Sequence, residues 1–194
     1  MLGLMIKRNI KLFFNDKGMF FASLITPIIL LVLYTTFLGD VYKDSFEMSF
    51  SSFATNIKLP ETLIDGTVGG ELLSSLLAVC CITVAFCSNF LMVSDKVTGS
   101  RNDLTVSPIK SSTLSISYYI ATVLVTLIIC VIAAIACFIY LSLVGWYLSV
   151  LDIILIFIDV FILVMFGTAL SSIMNIFLST QGQISAIGTI VSAG

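Results

Sequence analysis

The chain is 194 residues long, 59% hydrophobic and only 10% charged, where a soluble domain carries about a quarter charged side chains. Its apolar residues, about 114 of them, exceed what a soluble fold of this size buries, so its solvent is a lipid bilayer. The absence of histidine and a formal charge of −2 exclude histidine-based acid–base chemistry and leave no basic patch for a nucleic-acid partner.

Residues 1–17 read as an amphipathic helix. Lys7, Arg8, Lys11 and Asn15 cluster on one helical face, with Ile6, Ile10, Phe13 and Phe14 on the other. That pattern suits a helix at the membrane surface, its basic face toward anionic headgroups. Residues 18–39 follow without a charge, long enough for a helix across a hydrocarbon core roughly 30 Å thick. The run is too long for a signal peptide and lacks a small-residue cleavage site, so it is retained as a first span. Pro27 inside it predicts a kink.

Residues 40–71 form an acidic connection with Asp40, Asp44, Glu47, Glu61, Asp65 and Glu71. Phe46, Met48, Phe50 and Phe53 alternate with polar residues, which fits either a short strand or a helix on the membrane surface. Gly66, Gly69 and Gly70 suggest a flexible re-entry into the next span.

Residues 72–94 are the second uncharged run. The uncharged stretch 111–151 is too long for one crossing and breaks at Val144-Gly145-Trp146-Tyr147, a flexible residue followed by interfacial aromatics. Spans over 113–143 and 151–175 result, joined by an external turn at 144–150. A cytoplasmic turn at 176–183 then leads to residues 184–194, the start of a fifth span. The cysteines (Cys80, Cys81, Cys87, Cys130, Cys137) fall in apolar runs and read as small buried hydrophobes, with no zinc or redox spacing.

Orientation follows from the basic residues. Lys7, Arg8, Lys11 and Lys17 precede the first span, and Lys96, Arg101 and Lys110 follow the second; only Lys43 and Lys58 lie in the connection between them. The N-terminus is therefore expected in the cytoplasm.

Residues 95–112 then form a cytoplasmic segment between two long helices. Gly99 and Ser100 can start a short helix, Asp103 near its first turn suits the helix dipole, and Ser107-Pro108 ends it. Held on two transmembrane rods, such a helix is a handle for force from a partner; a plain solvated turn is the alternative.

The basic amphipathic start, the first span, the modest outer connection and the element Gly99-Ser100-Arg101-Asn102-Asp103-Leu104-Thr105-Val106-Ser107-Pro108 together resemble the ABC-2 family of ABC exporter permeases. The approach Ser179-Thr180-Gln181-Gly182-Gln183-Ile184 is similar to that before the family's fifth span. The resemblance implies an all-α polytopic bundle in a bacterial plasma membrane, with residues 1–17 as a connecting helix. It assigns Gly99, Ser100, Arg101, Asn102, Asp103, Leu104 and Pro108 to a coupling helix that docks on a separate ATP-binding subunit. It further implies a second permease subunit, as homo- or heterodimer, and ATP with Mg²⁺ used by the partner and no cofactor bound by this chain. The family's denser charged cluster before the glycine is reduced here to Asp95-Lys96. Six spans are usual in the family, and a final segment of about 18 Å cannot cross the core. A piece of a longer permease is therefore expected.

Asp159 is the only acidic residue well inside a span, and no Lys or Arg within a span can pair with it. Intramembrane carboxylates normally face protein or a watery cavity. Asp159 is thus either held structurally by helix hydroxyls or placed along the substrate path. Asn89 and Asn175 are expected to hydrogen-bond between helices.

The chain holds no Gly-Lys dipeptide and hence no P-loop, so energy must come from another polypeptide. The leading reading is the membrane subunit of an ATP-driven exporter. A non-transporting membrane scaffold is the alternative, and an intramembrane enzyme is disfavoured by the missing histidines and paired acids. The substrate is not legible.

Overall fold

The computed structural model describes residues 2–53, 60–100, 102, 104, 109–144, 148–177, 180, 182–183 and 186. The described residues are helical, with no strand. Helices α1 (Leu2–Asn15) and α2 (Lys17–Leu33) are followed by a π-helical stretch, Tyr34–Leu38, and by α3 (Gly39–Phe53). Then come α4 (Glu61–Val97), α5 (Ser111–Val144) and α6 (Val150–Phe177). Among the described residues four helical stretches are long and apolar enough to cross a bilayer: Lys17–Phe50, Ile64–Val97, Ser111–Leu143 and Val150–Phe177. The all-α polytopic bundle expected from the charge-free runs is the fold observed.

Local chemistry sets the helix ends. Asp16 stands between α1 and α2 in extended geometry, and its carboxylate accepts the Met19 N–H at 3.1 Å. That cap satisfies a donor that a helix start otherwise leaves unpaired. At the start of α6, the Ser149 N–H donates to Asp152 Oδ2 at 2.9 Å and the Asp152 N–H to Ser149 Oγ at 3.4 Å. The pair is a reciprocal capping box with Asp in the acidic position.

α4 is the central rod, packed by α2, α5 and α6. Its Cys80, Cys81, Val84 and Ala85 are fully enclosed, as are Ile129, Cys130 and Ala134 on α5. All five cysteines are free. α4 and α5 run antiparallel: Tyr118 meets Asp95 at one end, and Gly69 lies against Leu141 at the other. α4 and α6 run parallel, since Gly167 touches Cys81 and Ala85 while Ser171 touches Asn89.

The α4–α6 seam is built from small and polar side chains. Val160, Val164, Gly167, Thr168, Ser171 and Asn175 form the buried face of α6, spaced by three, four or one residue as a helix stripe requires. A Cβ built on Gly167 would lie 3.4 Å from both the Ala85 Cβ and the Cys81 carbonyl oxygen, so the backbones approach closely there. Asn89 Nδ2 donates to Ser171 Oγ at 2.8 Å and Ser172 Oγ at 3.0 Å, and Asn175 Nδ2 reaches the Asn89 carbonyl at 3.5 Å. Small residues with interhelical hydrogen bonds are the means of association open to helices in lipid, where burial of apolar surface drives little. Asn89 and Asn175 thus join two helices, as their types suggested.

Residues 40–53 and 61–71, read from the sequence as part of an external connection, are helical. The Phe46 and Phe50 rings stack at 6.5 Å; they are four apart, which is also a helical spacing. Lys43 on α3 pairs with Asp65 on α4, and Phe46 packs on a buried cluster of Tyr34, Ile64, Val68 and Leu72. These contacts carry the helical structure beyond the first and second apolar runs.

Candidate functional site

α1 docks on the bundle by one face. Met5, Asn9 and Phe13 are its buried residues, spaced four apart on one face. Phe13 is 1% exposed and belongs to the main core, whereas Phe14 turns outward and packs edge-on against Phe13 at 5.6 Å. Adjacent residues diverge by about 100° on a helix, so one phenylalanine enters the bundle and the other leaves it. Lys7 and Lys11 are exposed.

Arg8 departs from its basic neighbours. Its Nη1 donates to Asp95 Oδ2 at 3.0 Å and to Asn9 Oδ1 at 2.9 Å. Tyr118 on α5 donates its hydroxyl to the same Asp95 oxygen at 2.5 Å. One carboxylate oxygen, buried near the end of α4, therefore ties α1, α4 and α5 together. Burial alone would lower the Arg8 pKa, but the hydrogen bond and charge of Asp95 outweigh it and hold it above its ordinary value. Charge-assisted bonds of this kind are shorter and stronger than neutral ones.

The segment beyond α4 grows from this junction. Thr98 caps α4 through its backbone and side chain, both donating to the Ser94 carbonyl at 2.9 Å. Gly99 then takes φ +80°, a left-handed conformation natural to glycine at a helix C-terminus. Ser100, Asn102 and Leu104 have helical backbone, and the Asn102 N–H donates to the Gly99 carbonyl at 2.8 Å. Leu104 packs with Met92 and Ile109 onto a small buried cluster of Met5, Leu114 and Tyr118. The spacing from Gly99 to Leu104 has a physical meaning here. The glycine turns the chain off α4, and the leucine returns to the same three-helix junction. Arg101, Asp103 and Pro108 lie outside the described residues, as do the turn at 145–147 and residues 187–194.

The structure thus brings Arg8, Phe13 and Leu104 to the α1 end of the bundle, with Asp95 and Tyr118, which the sequence did not single out as a pair. Asp159 is elsewhere. It is exposed on α6, 16 residues before Asn175 and so about 24 Å along the helix from it. It faces outward from the described bundle at membrane depth.

Four membrane-crossing helices with an amphipathic helix docked under them describe a polytopic membrane subunit. The family model of the ABC-2 type transporter matches residues 2–193, and the chain belongs to that family. It is an integral membrane protein and a permease component of an ABC transporter, a class that works with an ABC ATP-binding subunit. No curated protein and no solved structure matches the chain.

Proposed function

We propose that this chain is the membrane half of an ATP-driven exporter, and that a separate ATPase docks on residues 99–108. The observation that carries the reading is the convergence of Leu104, Met5 and Tyr118 with the Arg8–Asp95 pair. A push on the segment after α4 meets α1 and α5 together rather than a free loop. Force would pass along α4, the most enclosed rod, to the opposite end, where Lys43 pairs with Asp65. The N-terminus lies in the cytoplasm in this reading, because basic residues concentrate at the α1 end. Two permease subunits and two ATPases form the working unit, ATP and Mg²⁺ being held by the ATPase. Asp159, exposed on α6, faces either the second permease or a hydrated substrate path, since lipid is a costly neighbour for a carboxylate.

Affinity purification of the tagged permease from native membranes tests the proposal. Recovery of an ABC ATPase with the wild-type chain, and its loss with Leu104→Asp, is the expected result. A purified complex without any nucleotide-binding subunit removes the exporter reading and leaves the scaffold alternative.

A further inference from the structure

Four side-chain atoms buried among the described residues have no hydrogen-bond partner: Asn9 Nδ2, Ser88 Oγ, Asn89 Oδ1 and Thr126 Oγ1. Two of them share one seam. Ser88 lies seven residues before Asp95 on α4, and Thr126 eight residues after Tyr118 on α5. Asp95 and Tyr118 meet and the helices are antiparallel, so the two hydroxyl residues stand at one level, within about 1.5 Å along the axis. Seven residues are nearly two full turns, so Ser88 also shares the face by which Asp95 meets α5. Ser88 is 3% and Thr126 0% exposed.

Neither hydroxyl takes the partner that its own helix offers. Thr83, Ser117 and Thr168, buried in the same three helices, donate to the Val79, Leu114 and Val164 carbonyls at 2.9, 2.6 and 2.8 Å. That bond back to the preceding turn is the ordinary one for Ser and Thr within a helix. A buried hydroxyl without any bond is costly, and in a bilayer no bulk water relieves it.

The surroundings decide the ligand. Val84 and Ala85 on α4, and Ile129 and Cys130 on α5, lie within about one turn of the two hydroxyls and are fully enclosed. Asp95 is about 10 Å away along α4 and is engaged by Arg8 and Tyr118, so it supplies no charge for a cation here. A neutral, water-sized ligand that both donates and accepts matches two hydroxyls in such apolar surroundings. We infer that one ordered water bridges Ser88 and Thr126 inside the α4–α5 seam. It accepts from one hydroxyl, donates to the other and gives its second proton to the spare lone pair of a helix carbonyl one turn back. Three bonds are the usual complement of a buried water. Sealed by the residues around it, this water exchanges with bulk only when α4 and α5 part. The inference needs only the packing of these two helices and does not rest on the exporter reading.

X-ray hydroxyl-radical labelling of the full chain in lipid nanodiscs, read by peptide mass spectrometry, provides the test, because radicals formed from a bound water mark the side chains beside it. Cys130, one turn from Thr126, is the reporter. Cys137, buried in the same cluster but about 16 Å from Thr126 along α5, is the control. In the wild type Cys130 should label faster than Cys137. The double variant Ser88→Ala with Thr126→Val removes both hydroxyls at nearly constant bulk and should reduce Cys130 to the Cys137 rate. Thermal unfolding separates a bridging water from hydroxyls that merely lack partners. Thr126→Val alone should lower the unfolding temperature, and adding Ser88→Ala should lower it little further, because both act through one water. A higher unfolding temperature in Thr126→Val overturns the inference. So does equal labelling of the two cysteines in the wild type, or Cys130 labelling that survives the double substitution.

Discussion

Arg8 and Asp95 lie 87 positions apart in the chain, and their side chains meet at 3.0 Å. The contact fastens the first helix to the end of the central one, at the point where the chain turns toward the segment carrying Leu104. The two ends of the pair differ in their access to water, 31% for the Arg8 side chain and 10% for Asp95. That difference makes the consequences of breaking it unequal.

Removing Arg8 leaves the more buried charge without its cation. Arg8→Met should therefore destabilise the bundle more than Asp95→Asn, after which the arginine can swing to water. The expected loss for Arg8→Met is about 1–2 kcal/mol, reduced from a fully buried pair by solvent screening. Thermal unfolding of the two variants in the same detergent gives the order, and a reversed order refutes the argument.

Tyr118→Phe deletes the hydroxyl that shares the Asp95 oxygen. A loss of about 1 kcal/mol is expected for one hydrogen bond. The effect should not add to that of Arg8→Met, because both residues act on one carboxylate. A double-mutant cycle with a coupling energy near zero would show that the two contacts are independent.

Gly167 sits where α6 approaches α4, with the Ala85 Cβ and Cys81 oxygen each 3.4 Å from a built Cβ. Gly167→Ala should be tolerated, since that separation is ordinary contact. Gly167→Leu should push the helices apart and destabilise the bundle. Spin-label distances between the two helices measure the separation directly; equal distances in both variants would contradict the packing.

Asn89→Ala removes donors to Ser171 and Ser172 from a buried seam. Interhelical hydrogen bonds in membranes average about 0.6 kcal/mol and reach about 1.7, so a modest loss of stability is expected. Measured unfolding in the wild type and in Ser171→Ala should show the two substitutions overlapping in effect.

The helices were legible in the sequence because charge-free runs mark where lipid surrounds the chain. Their ends were harder to read. Phe46, Met48 and Phe50 alternate like a strand, yet Phe46 and Phe50 also share a helical face, and only packing on Tyr34 and Ile64 decides between the patterns. The site was legible in part. Gly99 and Leu104 stood out by their spacing, but why the spacing matters depends on Met5 and Tyr118, which reach Leu104 only after folding. Arg8 looked like one of several headgroup-facing cations. Its true partner depends on where α1 docks, and the Tyr118 contact on the antiparallel register of α4 and α5. Neither quantity is written in local pattern.

In the proposed function, the Arg8–Asp95 junction supports the surface on which the ATPase docks. The direct measurement is the amount of ABC ATPase that co-purifies with the wild type, Arg8→Asp, Asp95→Arg and the double charge swap. Full recovery is expected with the wild type, loss with each single swap and substantial restoration with the double one. Equal ATPase recovery across all four proteins would contradict it.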